Sequence, residues 1–237
     1  LYVGSAGLAR HVRLSEGRSD AATPTDDANV AGEPTGDVSA DVESANGAGT
    51  EGEGTDARVV FGVAGSANPR TVEQIETLPP QQVIALDAER AVRDPDAAAA
   101  AASARAIELL AVGQTAVVTS VPDPGAIERA REAGAAAGVK RVGERIERAL
   151  AAVVEAVCTA VALDGLVLTG GAVAVAVLRE LGANAIRVTD EVIERGVPIG
   201  EVVGGRAKGV LVITKAGGFG DERTIANCLA RLGEANE

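Results

Sequence analysis

Four short apolar runs, each stopped by a glycine- or proline-bearing turn and followed by a helix-spaced segment, constrain this chain most. They are Arg58-Val-Val-Phe-Gly-Val-Ala64, Thr115-Ala-Val-Val-Thr-Ser-Val121, Gly165-Leu-Val-Leu-Thr169 and Gly209-Val-Leu-Val-Ile-Thr214. A strand that is apolar throughout, rather than at alternate positions, is buried on both faces. Burial on both faces needs helices above and below, and helices returning between strands make the sheet parallel. Two further strands are expected at Gln82–Asp87 and Ala185–Val188. Val197-Pro-Ile-Gly200 reads as a turn, followed by Glu201-Val-Val. Helices are expected from Pro69, where Val72, Ile75 and Leu78 recur at helical spacing, and over Asp96–Val112, Pro124–Ala137, Val142–Leu163, Ala172–Leu181 and 222–232. Pro69 suits a first helical position, Gly113 a C-cap and Asp221 the N-cap of the last helix. The expected fold class is α/β, in three layers, with a largely parallel sheet and helices on both faces.

Composition agrees. Apolar types make up 46% of the chain, but there are only one Tyr, two Phe and no Trp. A core of Ala, Val, Leu and Ile suits close helix-on-sheet packing. The net charge of −12, without aromatic stacking platforms, argues against a nucleic-acid surface. A single histidine, His11, and two cysteines, Cys158 and Cys228, cannot build a His/Cys metal cluster or a Ser/His/Asp triad. The cysteines read as core thiols of a reduced compartment, which implies a cytoplasmic location. No apolar run approaches the roughly 20 residues of a membrane span. Only three of the 22 basic residues are lysine. A salt-loving source and a GC-rich genome explain that equally well.

The acidity is concentrated in residues 19–57, which hold ten Asp or Glu, no Lys or Arg, and no Leu, Ile or aromatic residue. Such a segment cannot bury enough apolar area to offset its ordering entropy and is expected to be a disordered linker. Residues 1–18 read as the remnant of an upstream domain, since the chain begins at Leu1 rather than Met. Residues 58–237 are expected to form the folded domain.

In a parallel sheet, ligands bind beyond the carboxyl ends of the strands. That rule selects three turns: Gly65–Asn68, Thr169–Val173 and Lys215–Gly220. Backbone amides in glycine turns, next to helix starts, favour anions such as phosphate. Lys215 would add a mobile positive charge, and Ser66 and Thr169 hydroxyl donors. Glycines at such junctions also occur simply because a turn needs positive φ. Neither G-x-x-x-x-G-K-[ST] nor G-x-G-x-x-G is present. Other candidates read as ordinary: Asp87, Asp190 and Glu191 lie near strand ends as surface acids, and Lys140–Arg148 as a solvated helix face with pairs such as Glu144–Arg148.

The run Val63-Ala-Gly-Ser-Ala-Asn-Pro-Arg-Thr-Val-Glu-Gln-Ile75, then Leu166-Val-Leu-Thr-Gly-Gly171, Val197-Pro-Ile-Gly200 and Val212-Ile-Thr-Lys-Ala-Gly-Gly-Phe-Gly-Asp221 resembles the four-carbon acid sugar kinases. The resemblance covers their C-terminal nucleotide-binding domain from residue 58 to about 234, and Val3–Ala9 resembles the end of their N-terminal sugar-acid domain. It implies a kinase that uses ATP, with Mg²⁺, to phosphorylate a hydroxyl of a threonate, erythronate or oxo-tetronate. The implied ATP residues are Ser66, Gly170, Gly171, Ala172, Val173 and Gly217, with Thr169, Lys215 and Gly218 as additional phosphate contacts. No metal ligand and no residue acting on the acceptor are assigned. The implied partners are the nucleotide, a small sugar acid and the N-terminal domain, with room for a homo-oligomer. The family usually carries an acid and a Thr or Ser after the paired glycines; here Ala172-Val173-Ala174 stand there.

Overall fold

The computed structural model describes residues 58–234. The expected remnant at 1–18, His11 and the acidic segment at 19–57 lie outside the described residues.

The first strand, β1 (Val60–Ala64), leads into α1 (Pro69–Glu76). Then come β2 (Val83–Ala85), α2 (Ala88–Arg93), α3 (Pro95–Ala111), β3 (Ala116–Thr119), α4 (Ala126–Ala136) and α5 (Val142–Ala160). The remaining elements are β4 (Gly165–Thr169), α6 (Gly171–Glu180), β5 (Ala185–Glu194), β6 (Val197–Val203), β7 (Leu211–Lys215) and α7 (Thr224–Gly233). The seven strands form one sheet in the order β2-β3-β1-β4-β7-β6-β5. The five strands from β2 to β7 are mutually parallel, and β6 runs antiparallel to both its neighbours.

Helices cover both faces, as the continuous apolar strands demanded. Phe61, Val63, Val118, Leu166 and Leu168 face α2, α3, α5 and α6; Val60, Val117, Val167 and Ile213 face α1 and α7. Two strand glycines set how close α7 comes. A Cβ at Gly165 would lie 2.8 Å from Leu232 Cβ, and one at Gly62 3.3 Å from Leu229 Cδ2. Leu232 is fully buried there, worth about 1.5–3 kcal/mol.

Caps set the helix starts. Asn68 Oδ1 accepts from the Arg70 amide at 3.0 Å, with Pro69 in the first position as expected. Asp94 Oδ1 accepts from the Ala97 amide at 3.0 Å, and Gly113 follows α3 with φ 74°.

Four expectations are corrected. Val197–Gly200 is not a turn but the start of β6; the reversal lies one step earlier, at Gly196, whose φ is 87°. Pro198 is tolerated because the β6–β7 ladder begins only at Ile199, while its pairing to β5 is already irregular. Helix α2 was unforeseen because six residues are too few to show a period, although Asp87 caps it by accepting from the Arg90 amide at 2.8 Å. Asp221 does not cap the last helix; its carboxylate accepts from the Arg223 amide at 2.8 Å, and α7 begins at Thr224. Finally, Arg148 does not pair with Glu144. It reaches Asp96 of α3 at 2.8 and 3.0 Å, while Glu144 pairs with Arg141. Both Arg148 and Asp96 are exposed, so Arg148→Ala should cost at most about 1 kcal/mol in chemical denaturation.

No helix among the described residues is long and apolar enough to cross a membrane.

The chain leaves β1 toward β2 and β3 on one side, and leaves β4 toward β7 on the other. The winding therefore reverses between β1 and β4, where an open α/β sheet leaves a crevice at its carboxyl edge.

Candidate functional site

The three glycine turns meet at that crevice. Ala64, Thr169 and Lys215 end their strands side by side in register, so the turns begin at one level. Two amides continue the ladder one step further: Gly65 donates to the Thr169 carbonyl at 3.1 Å and Gly170 to the Lys215 carbonyl at 2.9 Å.

Ser66 stands at the centre. A Cβ at Gly170 would lie 3.2 Å from the Ser66 amide nitrogen, and one at Gly217 would lie 1.8 Å from Ser66 Oγ and 2.6 Å from Ser66 Cβ. Gly218 is as close to Asn68, with a Cβ 3.1 Å from its Nδ2. Gly170 has φ 105° and so needs glycine for its backbone as well. Gly217 has no such need; contact with Ser66, and more mildly with Asn68 Cβ at 3.1 Å, excludes a side chain there.

Helix α6 begins at this crevice without a side-chain cap, so the amides of its first turn have no partner within the helix. Ala172 is exposed on that turn. Val173 faces inward: a Cβ at Gly65 would lie 2.6 Å from Val173 Cγ2, so only its backbone faces the crevice. The Thr169 hydroxyl is buried beneath the crevice with no hydrogen-bond partner.

Lys215 is not the mobile cation expected from the sequence. It is 2% exposed, and its ammonium donates to the carbonyls of Ala216 at 2.9 Å and Gly217 at 3.2 Å. Burial pulls it down to about 8; Cys228 and Glu194 push the other way, and Arg70 adds to the lowering. A buried ammonium must find acceptors, and the nearest are the carbonyls of its own turn.

Sequence reasoning gave no role to Thr71, Gln74 and Thr77 on α1. Thr71 Oγ1 donates to the Gly217 carbonyl at 3.3 Å, Gln74 Nε2 to the carbonyls of Phe219 at 3.1 Å and Asp221, and Thr77 Oγ1 to that of Glu222 at 3.2 Å. Thr71 and Gln74 are fully buried beside Val72 and Ile75. Polar residues at core-facing positions of an amphipathic helix were the signal available in the sequence.

The other candidates are placed away from the crevice or in structural roles. Cys228 is fully buried and Cys158 half-buried; burial pushes the thiols up to about 12 and about 11, so both stay protonated. Glu191 pairs with Arg231, Asp190 is exposed, and Asp87 is the cap of α2. Among the described residues, no group of three or more His, Cys, Asp or Glu is placed to hold a metal.

Comparison with known proteins follows the same lines. The model of the nucleotide-binding C-terminal domain family matches residues 61–225. A 3-oxo-tetronate kinase of Methylobacterium radiotolerans is 37% identical over 161 residues, which is 67% of this chain and 36% of that protein. A D-threonate kinase of Bordetella bronchiseptica is 46% identical over 70 residues, 30% of this chain and 17% of that protein. A domain from Bordetella bronchiseptica, crystallised with citrate as a domain-swapped dimer, superposes with a TM-score of 0.54 at 28% identity, covering 76% of this chain and 41% of that one. A Haemophilus influenzae protein shares the fold at a TM-score of 0.58 and 18% identity, over 76% of this chain and 43% of that one. The chain thus spans well under half the length of these relatives. With its matched family model and its glycine turns gathered at one crevice, the chain belongs to the nucleotide-binding C-terminal domains of the four-carbon acid sugar kinases.

Proposed function

We propose that this chain is the ATP-holding part of a kinase that phosphorylates a hydroxyl of a four-carbon sugar acid of the threonate, erythronate or oxo-tetronate type. The observation that carries this reading is the meeting of three glycine turns around Ser66, over an uncapped helix start. Such a place offers amide donors and a positive helix end to phosphates. The orphaned Thr169 hydroxyl beneath it fits the same guest. The relatives named as kinases of threonate and oxo-tetronate supply the acceptor class.

In this reading the amides of Gly171, Ala172 and Val173 hold phosphate oxygens, with the Gly170 amide tied to the Lys215 carbonyl beneath them and Ser66 and Gly217 closing over them. Gly218 and Thr169 add contacts, and Lys215 acts through the carbonyls it ties down. ATP, when bound, supplies the phosphoryl group to be transferred. Mg²⁺ finds no carboxylate cluster among the described residues and would arrive on the phosphates, keeping several waters. Phosphoryl transfer depends on positioning both reactants. The sugar acid falls to the N-terminal domain of such kinases, and a cytoplasmic location follows from reduced thiols and ATP use.

Calorimetric titration of the full chain with ATP tests the reading. Saturable one-site binding is the expected result; a folded chain that binds no ATP rejects the kinase.

A second reading, a nucleotide-binding module without catalysis, is favoured by one observation. Exposed Ala172 stands on the first turn of α6, where the family resemblance places an acid. Ala172→Asp distinguishes the two roles that acid could have. A carboxylate meeting ribose hydroxyls or phosphate-bound Mg²⁺ should tighten ATP binding by about 1.5–3 kcal/mol before desolvation. Tightening only with Mg²⁺ indicates a metal role, and tightening without it a ribose role. Weaker binding in both conditions would mean that the carboxylate faces the phosphates directly.

A further inference from the structure

We infer that the polar row on α1, with Gln74 at its centre, is a positioning device that turns the third glycine loop amide-outward for phosphate. The inference rests on the nucleotide reading above and adds residues that reading does not contain. Thr71 and Gln74 on α1 and Thr77 at its C-cap are spaced three apart, so they lie along one side of the helix. That side meets the loop from Ala216 to Glu222. Together with Lys215 they take up the carbonyls of Ala216, Gly217, Phe219, Asp221 and Glu222. Four of the seven carbonyls in the loop are thereby satisfied from within the domain, and that of Glu222 shares the Thr77 hydroxyl with the Gln74 carbonyl, which lies nearer at 2.9 Å.

Carbonyls held inward decide what the loop has left to offer. The amides of Gly217, Gly218 and Gly220 take part in none of its hydrogen bonds, whereas that of Phe219 donates back to Ala216. Donors without protein partners, on glycines beside Ser66 and Asn68, form a concave surface suited to an anion. A loop free to flip its peptides would also present carbonyl oxygens to phosphate, and their lone pairs repel it. Gln74 prevents this with most leverage. Both hydrogens of its Nε2 are committed to two carbonyls two residues apart, and it is fully buried. Its Oε1 has no partner, so the amide is held in place by what its nitrogen donates to. Flipping it would set oxygen against two carbonyl oxygens, which fixes the orientation.

The row also links two of the three turns. Helix α1 starts immediately after Gly65–Asn68, so the helix that follows the first turn holds the third. A shift of α1 moves Ser66 and the Gly217 loop together.

The test uses the full chain and the variants Gln74→Met, which keeps the length but not the donors, Thr71→Val and Thr71→Ser. Three measurements are made: amide hydrogen exchange across the domain, and affinity for ATP and for tripolyphosphate, which carries the charge without the nucleoside. Gln74→Met should raise exchange at the Phe219 amide, which donates to the Ala216 carbonyl, by about tenfold or more, the equivalent of a lost hydrogen bond, with the β1 and β4 amides unchanged. Affinity for ATP and for tripolyphosphate should fall together, by about tenfold. Thr71→Val should do the same more weakly, and Thr71→Ser, which keeps the hydroxyl, should restore the wild-type values. Unchanged loop exchange and affinity in a folded Gln74→Met overturn the inference. Exchange that rises equally throughout the domain does so too, since the row would then be only a core feature. If the wild type binds neither probe, the kinase reading fails and the anion role with it. If the wild type binds both and Gln74→Met binds equally well, the kinase reading stands and the positioning role falls.

Discussion

Gly217→Val should lower ATP affinity by roughly 1–3 kcal/mol, about fivefold to 150-fold, even if the protein remains folded. The cause is contact rather than backbone strain. A Cβ at Gly217 would lie 1.8 Å from Ser66 Oγ and 2.6 Å from Ser66 Cβ. Rotating the Ser66 hydroxyl away relieves the first clash but not the second, so the first and third turns must part. The two positions should therefore be coupled. In a double-mutant cycle, Gly217→Ala should be costly beside Ser66 and much cheaper beside Ser66→Gly. The expected coupling is about 1–3 kcal/mol, the range for residues in direct contact. Relief should stay incomplete, because Asn68 Cβ would still be 3.1 Å away. Urea denaturation and calorimetry with ATP supply the four corners of the cycle. Additive single effects would show that the turns do not meet as described, and unchanged affinity in Gly217→Val would leave the loop a purely structural turn.

The second large effect is on stability as a function of pH. Lysine ordinarily titrates at 10.5, and burial brings Lys215 down to about 8. Between these values the unfolded chain holds a proton that the native protein has released. Stability should therefore rise with pH across that window, with no contribution to the slope below it. The two thiols act in the opposite sense. Their ordinary value is 9.0, and burial raises them to about 11 and about 12. Above 9 the unfolded chain loses those protons first, and native stability falls. The sum is a rise from pH 8 and a decline once the thiols dominate, with a maximum near 9. Lys215→Met should abolish the rise, about 1.4 kcal/mol over the one unit from 8 to 9, and keep the decline. Cys228→Ala should blunt the decline and keep the rise. Urea midpoints measured from pH 7 to 11 decide the matter. A wild-type curve flat from 8 to 9, or a rise that persists in Lys215→Met, would show that the ammonium is not held in the buried turn.

The same lysine shows why reading the site from sequence reached only so far. The motif around it was visible: a Lys, three glycines and an acid next to a strand end. Its burial was not visible, because a lysine beside a glycine turn looks like an exposed cation, whereas Lys215 is 2% exposed. Burial depends on what packs above the turn, and here that is α1, from 140 residues earlier in the chain. Gln74 was equally hidden. It is an ordinary helix residue until the loop around Phe219 is brought against it. Val173 was placed at the site by its position in the motif, and its side chain turned out to pack beneath Gly65. Arg148 belongs to the same group, since its natural partner by helix spacing lost to an acid 52 residues away.

What the sequence determined by itself was the architecture. Short apolar runs rich in β-branched residues and flanked by glycine turns read as strands buried on both faces, and Pro69 and Gly113 mark helix boundaries by local geometry alone. What only the tertiary structure decided was the meaning of each glycine. Gly170 and Gly217 look alike in the sequence, yet one is required by its own φ and the other by the Ser66 side chain opposite. The strand order, with β1 between β3 and β4 and the winding reversing there, places the three turns side by side. Local rules act over a few residues and can be read along the chain. Strand order and burial come from the lowest-energy way of covering the whole sheet, and that is settled only when every strand has its neighbours.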